Sequence, residues 1–196
     1  MRLLLIGPPG CGKGTQGARI AERYAVEHIA AGDILRAEVA AETALGRQIA
    51  GYISAGALVP DDVILDVVVP KVLAAAKADG YVLDGFPRTI RQAAAARRIA
   101  EEHASAVRCA IYMEVPQEEL VARLLRRAEI EGRSDDKPDV IRHRLEVFTE
   151  ATAPLIDFYG ERGLLDVVDA TLAPDEVTDQ ILTALPALVR ARPVAS

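Results

Sequence analysis

The segment Gly7-Pro8-Pro9-Gly10-Cys11-Gly12-Lys13-Gly14-Thr15 follows the apolar run Leu3–Ile6 and leads into a helical pattern over Lys13–Tyr24. No other feature of the chain restricts its fold so strongly. The glycines let successive N–H groups turn toward one point, and the start of a helix adds partial positive charge there. Such a concavity takes a phosphate; Lys13 can reach its outer oxygens and the Thr15 hydroxyl can face a magnesium ion. The spacing from Gly7 to Lys13 fits the phosphate-loop pattern, but Gly14 stands where Ser or Thr is usual, so the hydroxyl arrives one residue late. The bland alternative is a glycine-rich turn without a ligand, which the strand, lysine and helix in register argue against. For Cys11 the backbone amide matters more than the thiol, since no base stands beside it in sequence.

The alternation of strand and helix continues beyond this loop. Short apolar runs at Tyr81–Leu83, Cys109–Met113 and Leu164–Val168 read, with Leu3–Ile6, as buried parallel strands. Helical periodicity covers Lys13–Tyr24, Ile34–Ala41, Asp62–Ala78, Thr89–Glu102, Gln117–Arg127, Pro138–Tyr159 and Pro174–Arg190. The expected architecture is α/β, a P-loop-type parallel sheet flanked by helices with right-handed crossovers. Residues 30–59, small helices rich in Ala and Gly, and the polar stretch Arg127–Asp136 stand outside that pattern as appendages.

With 196 residues, 51% of them hydrophobic, the chain has material for one sizeable core. A formal charge of −6 disfavours nucleic acid and anionic membrane as partners. The only cysteines, Cys11 and Cys109, are far apart, which encodes neither a disulfide framework nor a zinc site and suits a reducing, cytoplasmic setting. Runs such as Val67-Val68-Val69 are far too short to span a membrane, and a functional loop beginning at Gly7 leaves no room for a cleaved signal. Only Lys13, Lys71, Lys77 and Lys137 are lysines, so nearly all positive charge is arginine. Compositional bias accounts for most of that total, and individual arginines are judged by position.

Taken in order, the glycine-rich loop with Gln16, Ala31-Gly32-Asp33-Ile34-Leu35-Arg36, Gly56-Ala57-Leu58-Val59-Pro60, Leu83-Asp84-Gly85-Phe86-Pro87-Arg88, Gln92, Gly132-Arg133-Ser134-Asp135-Asp136 and Thr152-Ala153-Pro154-Leu155-Ile156 cover nearly the whole chain. Together they resemble the nucleoside monophosphate kinases, above all the adenylate kinase family in its short-lid form. The resemblance implies reversible phosphoryl transfer from MgATP to AMP, giving two ADP. It implies a core of residues 1–29, 60–125 and 138–196, an AMP-binding insert at 30–59 and a lid at 126–137 without zinc-binding cysteines. It further implies ATP, AMP and ADP as partners, magnesium arriving with ATP, no zinc, and a monomer.

By the same resemblance ATP lies against Gly10, Cys11, Gly12, Lys13, Gly14, Thr15, Arg123, Arg127 and Leu172. AMP lies against Ala31, Arg36, Ala57, Leu58, Val59, Gly85, Phe86, Pro87, Arg88, Gln92, Arg133 and Arg144. Lys13, Arg88, Arg127, Arg133 and Arg144 carry the catalytic charge, and the Phe86–Pro87 bond is expected to be cis, a geometry only an X-Pro bond adopts readily.

Several positions are also legible from the residues alone. Asp84 ends an apolar strand at the sheet edge that carries the phosphate loop, where it can hold magnesium through water or cap the helix that follows. Asp33 has the same two readings, N-cap or magnesium shell. Arg123 and Arg127, four apart, share a helix face, whereas Arg126 lies off it. Arg144 interrupts the apolar stripe of Ile141, Leu145 and Phe148, which points to a cleft-lining guanidinium or to pairing with Asp84 or Asp136. Arg142 projects from another face. His28, His103 and His143 show no metal-ligand spacing and read as structural or surface residues.

Ala31 replaces the Thr usual in adenylate kinases and, with the short lid, looks more like the UMP/CMP kinases. Leu58-Val59 and the Gln92 amide look like an AMP pocket. A UMP/CMP kinase is therefore the nearest alternative, and a non-catalytic nucleotide-binding regulator the alternative from another class. Retention of a second phosphate site argues against the latter.

Overall fold

The computed structural model describes residues 1–131 and 135–190. Five strands, β1 (Arg2–Ile6), β2 (Glu27–Ala30), β3 (Tyr81–Asp84), β4 (Cys109–Glu114) and β5 (Leu165–Asp169), form one parallel sheet in the order β2-β3-β1-β4-β5. Leu4 of β1 pairs with Leu83 on one side and Ala110 on the other, so β1 is central and buried on both faces. Alternation along β1 feeds two cores. Leu3 and Leu5 join Ile20, Ile111, Leu124 and Ile181 beneath one layer of helices, while Leu4 and Ile6 join Val68, Leu83, Ala93 and Leu155 beneath the other.

Helices α1 (Lys13–Tyr24), α2 (Ala31–Ala40), α3 (Ala44–Ala55), α4 (Asp61–Lys77), α5 (Ile90–Glu102), α6 (Gln117–Glu131), α7 (Pro138–Val147), α8 (Pro154–Gly160) and α9 (Pro174–Arg190) connect and flank the strands. The chain leaves β1 through α1 on one face and leaves β3 through α5 on the other. Because β1 and β3 are neighbours, their carboxyl ends bound a crevice at the point where the winding reverses, where ligands of open α/β sheets bind.

Three expectations need correction. Glu27–Ala30, which shows no apolar run, is an edge strand; its pairing with β3 is what orders it. The pattern over Pro138–Tyr159 is not one helix. Pro154 has no N–H to give the carbonyl four residues back, and the chain widens into a π turn over Phe148–Thr152, with Ala153 N donating to Phe148 O at 2.8 Å. Asp33 is not an N-cap, because α2 already starts at Ala31.

Candidate active site

The loop after β1 makes a tight turn in which Gly10 and Gly12 take φ of 87° and 98°, values that a side chain would strain. Helix α1 opens on Gly12 with no side-chain cap, so its first N–H groups are left for the cleft. Lys13 Nζ donates to the carbonyls of Gly7 and Pro8 at 2.8 and 2.9 Å, folded back over its own loop. A Cβ added at Gly14 meets no protein atom within 4 Å, and Gly14 lines the cleft. No internal packing therefore demands glycine there. Gly17 differs, since a Cβ there would lie 2.2 Å from His28 Nε2; the helix packs directly on that half-buried ring, which makes His28 a structural residue.

The cleft above the crevice has a volume of about 510 Å³. Gly10, Gly12, Lys13, Gly14, Thr15, Asp33, Arg36, Leu58, Asp84, Gly85, Pro87, Arg88, Arg123, Arg127 and Arg144 all line it. A smaller cavity of about 50 Å³ adjoins Ala57, Leu58, Val59 and Gln92 and shares Arg36, Arg88 and Arg144 with the cleft as walls. Ala31, Phe86 and Cys11 are buried in the core beneath, and Leu172 is exposed beyond β5 and lines neither the cleft nor the smaller cavity. Arg133 lies outside the described residues.

The Phe86–Pro87 bond is cis, as the resemblance implied. Arg88 follows it, with Nε donating to Gly85 O at 2.9 Å and its own carbonyl accepting from Thr152 Oγ1 at 2.9 Å. The π turn thus supplies the hydroxyl that braces this loop. Asp84 does not cap α5, since Thr89 Oγ1 accepts from Gln92 N at 3.1 Å and does so itself. Asp84 lines the cleft and makes no ion pair with a described residue, whereas Asp33 is bonded to Arg36 at 2.5 Å. Burial pushes the Arg88 guanidinium below its ordinary range, opposed by the charge of Asp84 and helped by repulsion from Arg36.

Arg144 is inward-facing, with its side chain 12% exposed. Its partners are Asp135 at 2.9 Å and Asp136 at 2.7 Å, so of the two carboxylates considered from sequence Asp136 is the one found and Asp84 is not. Its stem lies against Gly56, where an added Cβ would approach to 2.6 Å. Asp136 also holds Arg127 at 2.6 and 2.8 Å through two nitrogens, and Asp135 lies 3.9 Å from Arg36. Asp136 was legible in sequence as a partner for Arg144, whereas Asp135 was visible only as part of a motif. Arg123, also on the cleft wall, has other partners, donating to Ala170 O at 2.9 Å and pairing with Glu119. Arg142 is exposed and paired with Asp139.

Cys11 and Cys109 are both buried. Burial pushes the Cys109 thiol up to about 12 and raises that of Cys11 despite the nearby Lys13. The native protein is expected to resist iodoacetamide at pH 8 and to take up label at both cysteines once unfolded in urea. Rapid labelling of Cys11 in the native state, read by peptide mass spectrometry, would contradict this packing.

A sequence profile of the family described as adenylate kinase matches residues 5–164. Curated relatives named adenylate kinase include those of Kocuria rhizophila, 45% identical over 94% of this chain and 98% of the relative, and Thermus thermophilus, 45% identical over 93% and 96%. That of Stenotrophomonas maltophilia is 42% identical over 94% of this chain and 99% of the relative.

Proposed function

The chain belongs to the adenylate kinase family, whose reaction is the transfer of a phosphoryl group from ATP to AMP to give two ADP, and from that premise we propose how its residues divide the work. The observation that carries the assignment is a single wall of arginines, Arg36, Arg88 and Arg144, shared by a large cleft at the phosphate loop and a small cavity beside Gln92. ATP lies in the cleft, with its phosphates on the open N-terminus of α1 and on Lys13, which exchanges the Gly7 and Pro8 carbonyls for phosphate oxygens. Residues 30–59 form the AMP-binding part, with the base at Leu58, Val59 and Gln92 and its phosphate on Arg36 and Arg88. Residues 126–137 form the lid, bringing Arg127 and Arg133 to the ATP phosphates.

The attacking oxygen is already anionic on AMP, so the protein contributes alignment, charge neutralisation and exclusion of water, with no covalent intermediate. Asp84, a cleft carboxylate that makes no ion pair among the described residues, and Asp33 would hold a hydrated magnesium ion through its water shell. When bound, the ion would neutralise part of the negative charge on the ATP phosphates. Among the described residues no group of three His, Cys, Asp or Glu side chains is arranged to hold a metal. We read magnesium as arriving with ATP, and the reading of a fold without structural zinc rests on the two cysteines lying far apart in sequence. Chelation is expected to abolish transfer and leave the thermal midpoint unchanged; a large drop in that midpoint would reveal a structural metal.

Among the described residues no helix is long and apolar enough to cross a membrane. A cytoplasmic setting is the reading that two buried free cysteines support, and a monomer is what the family resemblance implies.

The acceptor base is the sharpest point. A hydroxyl missing at Ala31 costs on the order of 1 kcal/mol, whereas a base deprived of a buried amide partner loses about 1–3 kcal/mol, so Gln92 outweighs Ala31. In a coupled ADP-formation assay kcat/KM for AMP is expected to exceed that for UMP and CMP by at least about tenfold, roughly 1.4 kcal/mol, with Gln92→Ala narrowing the gap to UMP. A preference for CMP or UMP would overturn the AMP reading and favour the pyrimidine kinase alternative.

A further inference from the structure

Asp61 opens α4, and Gln92 lies in the first turn of α5, buried at 2% exposure. Gln92 Nε2 donates to Asp61 Oδ1 at 2.7 Å, and Gln92 Oε1 accepts from the Arg88 backbone N–H at 2.7 Å. The other Asp61 oxygen pairs with Arg91 at 2.6 Å. A primary amide has two N–H donors and two acceptor lone pairs. Here one donor is taken by an ionised carboxylate, which only accepts, and one lone pair by a peptide N–H, which only donates. Turning the amide over would set N–H against N–H at Arg88 and oxygen against oxygen at Asp61. The sense of the amide is therefore fixed, and what it keeps for a ligand is one acceptor beside one N–H. Gln92 lines the small cavity with Leu58 and Val59, so that edge belongs to the proposed acceptor site.

We propose that Asp61 is a specificity-determining positioning residue, acting through Gln92 by holding its amide in one sense. An acceptor-plus-donor edge pairs with a base that presents an amino group beside an unprotonated ring nitrogen, as adenine and cytosine do. It opposes a base with a carbonyl beside a ring N–H, as in hypoxanthine, guanine and uracil. Leu58 and Val59 then separate purine from pyrimidine by shape, and the lock separates amino from oxo bases. This inference rests on the reading of Gln92 as the base contact.

IMP is the informative probe, because hypoxanthine keeps the purine outline of adenine and exchanges only this edge. The full chain is expected to prefer AMP over IMP in kcat/KM by about a hundredfold or more, the scale on which a hydrogen-bonding site rejects a mispaired group. Asp61→Asn can offer either a donor or an acceptor to Gln92, and it is expected to shrink the AMP/IMP ratio by about tenfold through a gain in IMP turnover. Asp61→Glu is expected to retain the ratio, and KM for ATP is expected to stay put in both variants. A merely structural Asp61 would lower both acceptors equally and leave the ratio intact, which overturns the proposal. Gln92→Leu separates the two ways of failing. If it leaves the ratio unchanged, Gln92 is not the base contact and both readings fall. If it collapses the ratio while Asp61→Asn does not move it, only the lock is wrong.

Discussion

Replacing Lys13 with methionine is expected to lower kcat by about a hundredfold or more, a loss of ~2.7 kcal/mol or above in transition-state stabilisation. The size follows from what the ammonium is free to do. In the structure it is half-buried and holds two loop carbonyls, Gly7 O and Pro8 O, whose alternative partner is water entering from the cleft. Its contribution to the fold is thus replaceable. A charge placed on the transferring phosphoryl group, by contrast, acts where negative charge is being redistributed and water is excluded. The variant should therefore unfold at nearly the wild-type temperature, and its kcat and kcat/KM should fall together. Steady-state kinetics beside a thermal melt check both parts. Near-normal turnover would remove Lys13 from the mechanism, and a large loss of stability would mean that the carbonyl contacts matter more than the cleft suggests.

The phosphate loop was legible because its residues are constrained locally. Glycines at positive φ, a lysine and a helix start form a pattern that tertiary contacts need not complete. The central strands were legible for a related reason: a strand buried on both faces must be apolar throughout, as Leu3–Ile6 and Cys109–Met113 are. Strand β2 was not, since its Glu27 and His28 face partly exposed surroundings and only the ladder to β3 makes Ile29 a core residue. The break before α8 was missed because apolar spacing runs through it unbroken, although its cause, Pro154, stood in the sequence; what folding adds is the contact of Thr152 with the Arg88 loop. Within the site, arginines could be nominated singly from their helix faces. Of their carboxylate partners only Asp136 could be nominated, for Arg144; Asp135 and the sharing of Asp136 with Arg127 could not, because those contacts with Arg36, Arg127 and Arg144 arise only through folding. Asp61 is a stronger case: an acid in the first turn of a helix is ordinary, and its contact with Gln92 spans 31 residues of sequence.

Those carboxylates lead to the second large effect. Asp136→Ala is expected to destabilise the nucleotide-free protein by about 3 kcal/mol or more, the usual cost of removing one member of a buried charge network. The Asp136 side chain is fully buried and bonds both Arg127, 24% exposed, and Arg144, 12% exposed. Without it two guanidiniums approach each other with less compensation, and Arg144 is already pushed below its ordinary range by burial and by the charges of Arg88 and Arg127. The same arginines line the nucleotide cleft, so phosphate oxygens and the Asp136 carboxylate present one kind of partner to one set of donors. In the wild type an arriving phosphate must share or displace that carboxylate, and in the variant this competitor is gone while Asp135 still pairs with Arg144. Ligand stabilisation grows with affinity, by about 2.7 kcal/mol at a concentration a hundred times Kd. The rise in Tm on adding a saturating linked adenosine bisubstrate inhibitor is therefore expected to be larger for Asp136→Ala than for wild type, recovering part of the loss. Equal shifts in the two proteins would show that the carboxylate and the phosphates do not draw on the same guanidiniums, and the arginine wall would then be a structural network beside the nucleotide rather than its binding surface.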